Sequence, residues 1–95
     1  MRRAARVDSN HTECGETLRA LGYTAIDTHA LGHDFPDWVA GRNGLTIFVE
    51  MIGTYDHPHT IKDHEARRDG WKGGPWIVAR TKYDLLAQLA GVTVQ

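Results

Sequence analysis

The chain has 95 residues and a mass of 10.6 kDa, with 41% hydrophobic and 24% charged residues and a formal net charge of −1. That length holds one domain, and this balance of apolar and charged residues excludes a disordered chain. The near-zero net charge excludes a uniformly basic nucleic-acid binder, and the lack of a long apolar run excludes a membrane span. The single cysteine, Cys14, has no internal disulfide partner, which points to a reducing, cytoplasmic setting. Residues 1–7 carry Arg2, Arg3 and Arg6 with no apolar stretch behind them. They read as a flexible basic arm rather than a secretory signal, with residues 8–95 as the single domain.

In chain order, Asn10 with Glu13 three residues later predicts a capped helix start. Cys14, Leu18 and Leu21 form its apolar face, and Gly22 ends it. Tyr23 to Thr28 reads as a strand, and His29 to Phe35 as a loop. Pro36 opens a short strand from Asp37 to Ala40, because proline suits a strand's beginning. Asn43–Gly44 between apolar runs is a strong hairpin signal. Leu45 to Ile52 is a central strand interrupted only by Glu50. Gly53 to His59 is a polar loop, Thr60 to Asp69 a second helix and Pro75 to Ala79 a further buried strand. Thr81 with Asp84 opens a last helix carrying Leu85, Leu86 and Leu89. The order α-β-β-β-α-β-α predicts an α/β fold with one mixed sheet flanked by helices.

Two carboxylates stand out. Asp37 precedes the hairpin by seven residues before Asn43–Gly44 is passed, and Glu50 follows it by six. The hairpin therefore brings both to one end. Two carboxylates that close repel unless one is protonated or a cation lies between them. A hard divalent cation, Mg²⁺ or Mn²⁺, takes oxygen ligands of this kind. The plainer reading has Asp37 capping a turn and Glu50 paired with an arginine.

The ordered set Pro36–Asp37, the apolar strand to Gly41, Ile47-Phe48-Val49-Glu50, and Trp71-Lys72-Gly73 resembles the PD-(D/E)XK nuclease superfamily. It is most similar to the small VRR-NUC and Holliday-junction-resolvase-like proteins common in phages. Asp8, Asn10, Glu13, Leu18–Arg19 and Gly22 resemble the family's opening helix, and Ala30-Leu31-Gly32 the loop before the PD motif. The resemblance implies a restriction-endonuclease-like αβββαβ core and Mg²⁺-dependent hydrolysis of branched or duplex DNA by a phage-encoded protein. A homodimer is expected, because cutting two strands symmetrically needs two sites and the core is small. It implies Asp37, Glu50 and the Met51 carbonyl as metal ligands. Glu13 would be a further ligand or a water-positioning group, unless it only caps its helix. The family's lysine, two residues after the glutamate, is replaced by Ile52. Lys62, then His57, are the candidate substitutes. Without one, the reading becomes an inactive DNA-binding module of the same fold.

Residues 60–82 hold Lys62, Arg67, Arg68, Lys72, Arg80 and Lys82 against Asp63, Glu65 and Asp69, a local excess of positive charge. Arg67, Arg68, Lys72, His57 and His59 are the expected DNA contacts. His57, His59 and His64 also allow a zinc-binding or interaction domain outside the nucleases, though no cysteine pair joins them. His29 and His33 flank the pre-PD loop and either border the metal site or bond locally. Trp38, Trp71 and Trp76 read mainly as core residues.

Overall fold

The computed structural model describes residues 9–32, 34–53 and 56–93. The expected N-terminal arm, Asp8 and His33 lie outside them. The elements are α1 (Ser9–Ala20), β1 (Thr24–Asp27), a 3₁₀ turn (His29–Leu31), β2 (Trp38–Arg42), β3 (Leu45–Met51), α2 (Pro58–Gly70), β4 (Trp76–Ala79) and α3 (Lys82–Thr93). The sheet order is β1-β2-β3-β4. Its first two pairings are antiparallel and β3–β4 is parallel, with α2 as the crossover. The chain is α/β with a mixed four-stranded sheet and three helices, compatible with an αβββαβ-like core.

The β2–β3 turn forms because Asn43 and Gly44 both take positive φ, 53° and 82°, as a two-residue hairpin requires. Gly22 ends α1 at φ 92°, and the N–H of Tyr23 donates to the Leu18 carbonyl at 3.0 Å. At α3, the Thr81 hydroxyl accepts from Asp84 N–H at 3.1 Å, while the Asp84 carboxylate accepts from Arg80 N–H at 3.0 Å. This is a reciprocal cap. α2 begins two residues before Thr60, because Pro58 suits the first helical turn.

The expected capping box at α1 is not formed. Asn10 lies inside the helix, and its Nδ2 donates to the carbonyls of Ile52 at 3.4 Å and Arg80 at 3.3 Å. Open carbonyls at the ends of β3 and β4 outcompete the local cap. Glu13 instead pairs with Lys82 across 3.7 Å.

One face of the sheet carries the core. Trp38, Ala40, Ile47, Val49, Ile77 and Ala79 pack against Cys14 and Leu18 of α1 and Leu85 and Leu89 of α3. Alternation along β3 sends Ile47 and Val49 to this face and Phe48 and Glu50 to the other. α1 holds the Trp38 indole with residues spaced by four. The His11 ring stacks on it at 4.8 Å, and the Arg19 guanidinium lies 5.3 Å from its centroid. Gly15 sits between them, and a Cβ there would lie 2.4 Å from the indole. Trp38 is thus a core residue, as expected, whereas Trp71 is 44% exposed.

Candidate functional site

Asp37 and Glu50 reach the same end of the β2–β3 pair, as the hairpin demands. The last paired residues are Trp38 and Val49, so Asp37 and Glu50 follow on one step beyond. Thr28 fixes the approach to Asp37. Its N–H donates to the Asp37 carbonyl at 2.9 Å, and its hydroxyl donates to the Pro36 carbonyl at 2.7 Å.

The Asp37 carboxylate has a backbone partner. Phe48 and Ile52 donate their N–H groups toward β4, to the carbonyls of Pro75 and Ala79. Met51, of opposite parity, donates toward β2 but beyond its end. There Asp37 Oδ2 accepts its N–H at 2.9 Å. Burial pushes the Asp37 carboxyl above the ordinary carboxylate value, against the Met51 bond and the charges of His11, His29 and His64, which pull it down.

Glu50 is only 2% exposed. A charged side chain so deep requires partners, and it has three. Trp76 Nε1–H donates to Oε1 at 3.1 Å. His64 Nδ1 lies 2.5 Å from Oε2, and Arg67 Nη2 lies 3.5 Å from the same oxygen. Arg67 Nη2 is also 2.8 Å from His64 Nδ1. A ring nitrogen carries either a proton or a lone pair. Nδ1 therefore serves as donor to Glu50 in one tautomer and as acceptor from Arg67 in the other. Arg67 Nη1 reaches Asp34 Oδ1 at 3.5 Å, so the guanidinium spans from the loop before β2 to β3. Burial raises the Glu50 carboxyl; His64, Trp76 and Arg67 oppose the shift, and Asp37 adds to it.

The other expected residues are distributed as follows. Ile52 is buried, 5% exposed, with its N–H on Ala79. Its parity matches that of Glu50. Glu13 is engaged with Lys82 rather than with the Asp37–Glu50 pair. Lys62 is exposed on α2. The groups brought to Glu50 from that helix are His64 and Arg67. The Arg67 guanidinium, 26% exposed, lies between buried Glu50 and exposed Asp34. Arg68 pairs with Asp69 at 3.0 Å. Lys72 is exposed, as are His57 and His59, whose rings stack at 5.4 Å. Across the sheet end, His11 Nε2 lies 3.0 Å from Asp27 Oδ2, and His29 donates its backbone N–H to Asp27 Oδ1 at 3.0 Å. The His29 ring stands edge-on to that of His11, with centroids 5.0 Å apart. Cys14 is buried, its thiol pushed up to about 12 by burial and by the charge of Asp37; it is an inert core group.

The fit of a divalent cation follows from these contacts. Both oxygens of Glu50 already face N–H groups, one of them on a permanently charged guanidinium. Among the described residues, no three His, Cys, Asp or Glu side chains are placed to hold a metal ion. The residues as arranged do not fit Mg²⁺ or Mn²⁺, nor do His57, His59 and His64 fit zinc.

The sequence alone suggests a zinc ligand at His64 and a DNA contact at Arg67. Their spacing of three puts them on one helix face, opposite the one carboxylate in an otherwise apolar strand. That is the signal that pairs them with Glu50.

Compared with known proteins, the chain matches no family model, no curated protein and no solved structure. Among the described residues, no helix is long and apolar enough to cross a membrane.

Proposed function

We propose that this domain is a nuclease-fold protein that binds DNA, branched or duplex, without hydrolysing it. One observation carries the reading. Glu50 is closed in by Trp76, His64 and Arg67, and buried Ile52 stands where the family's lysine would be. Hydrolysis needs an activated water and a group that offsets charge on the scissile phosphate. An alkyl side chain at 52 supplies neither, and the nearby Arg67 guanidinium is engaged by Glu50.

Support for nucleic-acid binding comes from α2 and the turn after it, together with the resemblance of the sequence to DNA-acting proteins. The first turn of α2 holds no acidic residue, and its N-cap makes no side-chain bond. Such a helix end favours a phosphate. His57 and His59 flank it, Lys62 and Lys72 are exposed, and the Trp71 ring offers a face on which a base can stack. A homodimer in this reading packs on the β1 side, where Ile26, Leu31 and Phe35 remain exposed. Light scattering on wild type and Ile26→Asp checks it.

A second reading, a Mg²⁺- or Mn²⁺-dependent endonuclease, is favoured by the convergence of Asp37 and Glu50 at one strand end. It requires His64 and Arg67 to leave Glu50. One experiment separates the two. Labelled duplex, flapped and four-way-junction DNA are titrated with protein across a salt series, then incubated with Mg²⁺ or Mn²⁺. The proposal expects binding that weakens steeply with salt, severalfold loss in Lys62→Glu/Lys72→Glu, and intact DNA. Absence of binding at low salt overturns it, and cleavage products establish the second reading.

A further inference from the structure

The groups around the Arg67 guanidinium are an unusual set for an arginine. Two carboxylates, Glu50 and Asp34, and one imidazole nitrogen, that of His64, lie within 3.5 Å of its terminal nitrogens. Carboxylate oxygen and imidazole nitrogen are ordinary ligands of a divalent transition ion. They come from three separate parts of the chain: the loop before β2, the end of β3, and α2. Glu50 and His64 meet the guanidinium from the protein side at Nη2, and exposed Asp34 meets it from the solvent side at Nη1. The centre they surround is held by a side chain that cannot lose its charge.

We propose that Arg67 is a built-in counter-ion that stands in place of a metal, so that the wild-type site takes no divalent cation while its neutral variants do. The Arg67 side chain is 26% exposed, whereas Glu50 is 2% exposed. The guanidinium thus forms the outer wall of the site, and its removal opens Glu50 to an entering ion. Asp34, 93% exposed, loses its Arg67 partner in the same variants and is the nearby carboxylate that would complete a ligand shell. His64 then turns a lone pair rather than a proton toward the centre, with its other nitrogen carrying the hydrogen. Asp37, beside Glu50, adds negative charge that favours the ion. This extends the non-cleaving reading to the site's ionic chemistry and requires no DNA, so failure of DNA binding leaves it standing.

The test is calorimetric titration of Mn²⁺ into wild type, Arg67→Ala, Arg67→Gln, Arg67→Lys and Arg67→Ala/Glu50→Gln, with circular dichroism reporting the fold of each. Arg67→Gln keeps most of the side-chain stem. The expected result is binding at least about tenfold tighter in Arg67→Ala or Arg67→Gln than in wild type. That gain is absent from Arg67→Lys, which keeps the charge, and from the double variant, which lacks the anion. Wild type that binds Mn²⁺ as tightly as the neutral variants overturns the proposal, and so does a folded neutral variant that gains no affinity. Should neither neutral variant fold alone, Mn²⁺ restores the fold by binding only the native state; failure to restore it also overturns the proposal.

Discussion

The two faces of the sheet are built on opposite principles. On the side of α1 and α3, Cys14, Leu18, Trp38, Ile47, Val49, Ile77, Leu85 and Leu89 form a dry, contiguous core. On the side of α2, no residue of the covering helix is buried. The contact there is made by the Phe48–Trp71–Trp76 rings, with centroids 5.3 Å apart, and by the charged group around Glu50. Apolar burial on the first face supplies stability that tolerates a buried, partly frustrated charge on the second. The difference identifies the α2 face as the one where chemistry, rather than packing, decides which residues stand there.

Truncation on the two faces gives the largest contrast. Leu85→Ala, at a fully buried position, is expected to cost about 2–5 kcal/mol. Ile61→Ala, on the half-buried side of α2, costs less than about 1 kcal/mol. Urea unfolding of both proteins measures the gap, and equal losses would make the α2 face a second core.

Gly15→Ala sharpens the account of the first face. Its Cβ would press on the Trp38 ring from 2.4 Å, so a substitution that ordinarily favours a helix should here destabilise by about 1–3 kcal/mol. A stabilised Gly15→Ala protein would show that α1 slides freely over Trp38.

Ile52→Lys tests the position at which the resembled nucleases carry a lysine. It places an ammonium at a site only 5% exposed, with an expected loss of about 1–3 kcal/mol. It produces no DNA cleavage while His64 and Arg67 hold Glu50. A Mg²⁺-dependent gain of cleavage by Ile52→Lys alone would break the reading of the site as closed.

The smallest effect has the opposite sign. Asp37 titrates above its ordinary value of 3.8 because it is buried. A carboxyl raised on folding favours the native state below its unfolded value, and that contribution is lost as pH rises through the folded one. At neutral pH the Asp37 charge therefore weakens the fold. Asp37→Asn keeps an oxygen for the Met51 N–H and removes the charge, so its melting temperature at pH 7 should exceed that of wild type. The advantage shrinks as pH falls through the raised Asp37 range, where Asp37 itself becomes neutral. A lower melting temperature at pH 7 would recast Asp37 as a structural cap.

Much of this was legible in the sequence wherever a local rule governs. Asn43–Gly44 fixes the hairpin, and the hairpin fixes Asp37 and Glu50 at one end. Thr81 and Asp84 fix the start of α3. Elsewhere a distant partner overrides the local signal. Asn10 looks like a helix cap but serves the ends of two strands, because only the folded sheet presents the carbonyls of Ile52 and Arg80. Arg67 counts toward a basic surface in a charge tally, yet the crossover geometry turns it onto Glu50. Gly15 gives α1 its close approach to Trp38, a pairing that no local pattern in the sequence specifies. For Glu50, burial in an apolar strand announces that a cation is needed; which cation depends on where α2 lands.

The most direct measurement is the effect of Mn²⁺ on the amide and indole NMR signals of the wild-type protein. The unpaired electrons of a bound Mn²⁺ broaden nearby resonances. With Arg67 and His64 holding Glu50, the account predicts that the Glu50, Met51 and Ile52 amides and the Trp76 indole keep their intensity, relative to the rest of the protein, at equimolar Mn²⁺. Selective loss of those signals, reversed by a chelator and absent in Glu50→Gln, would contradict it and place a metal ion between Asp37 and Glu50.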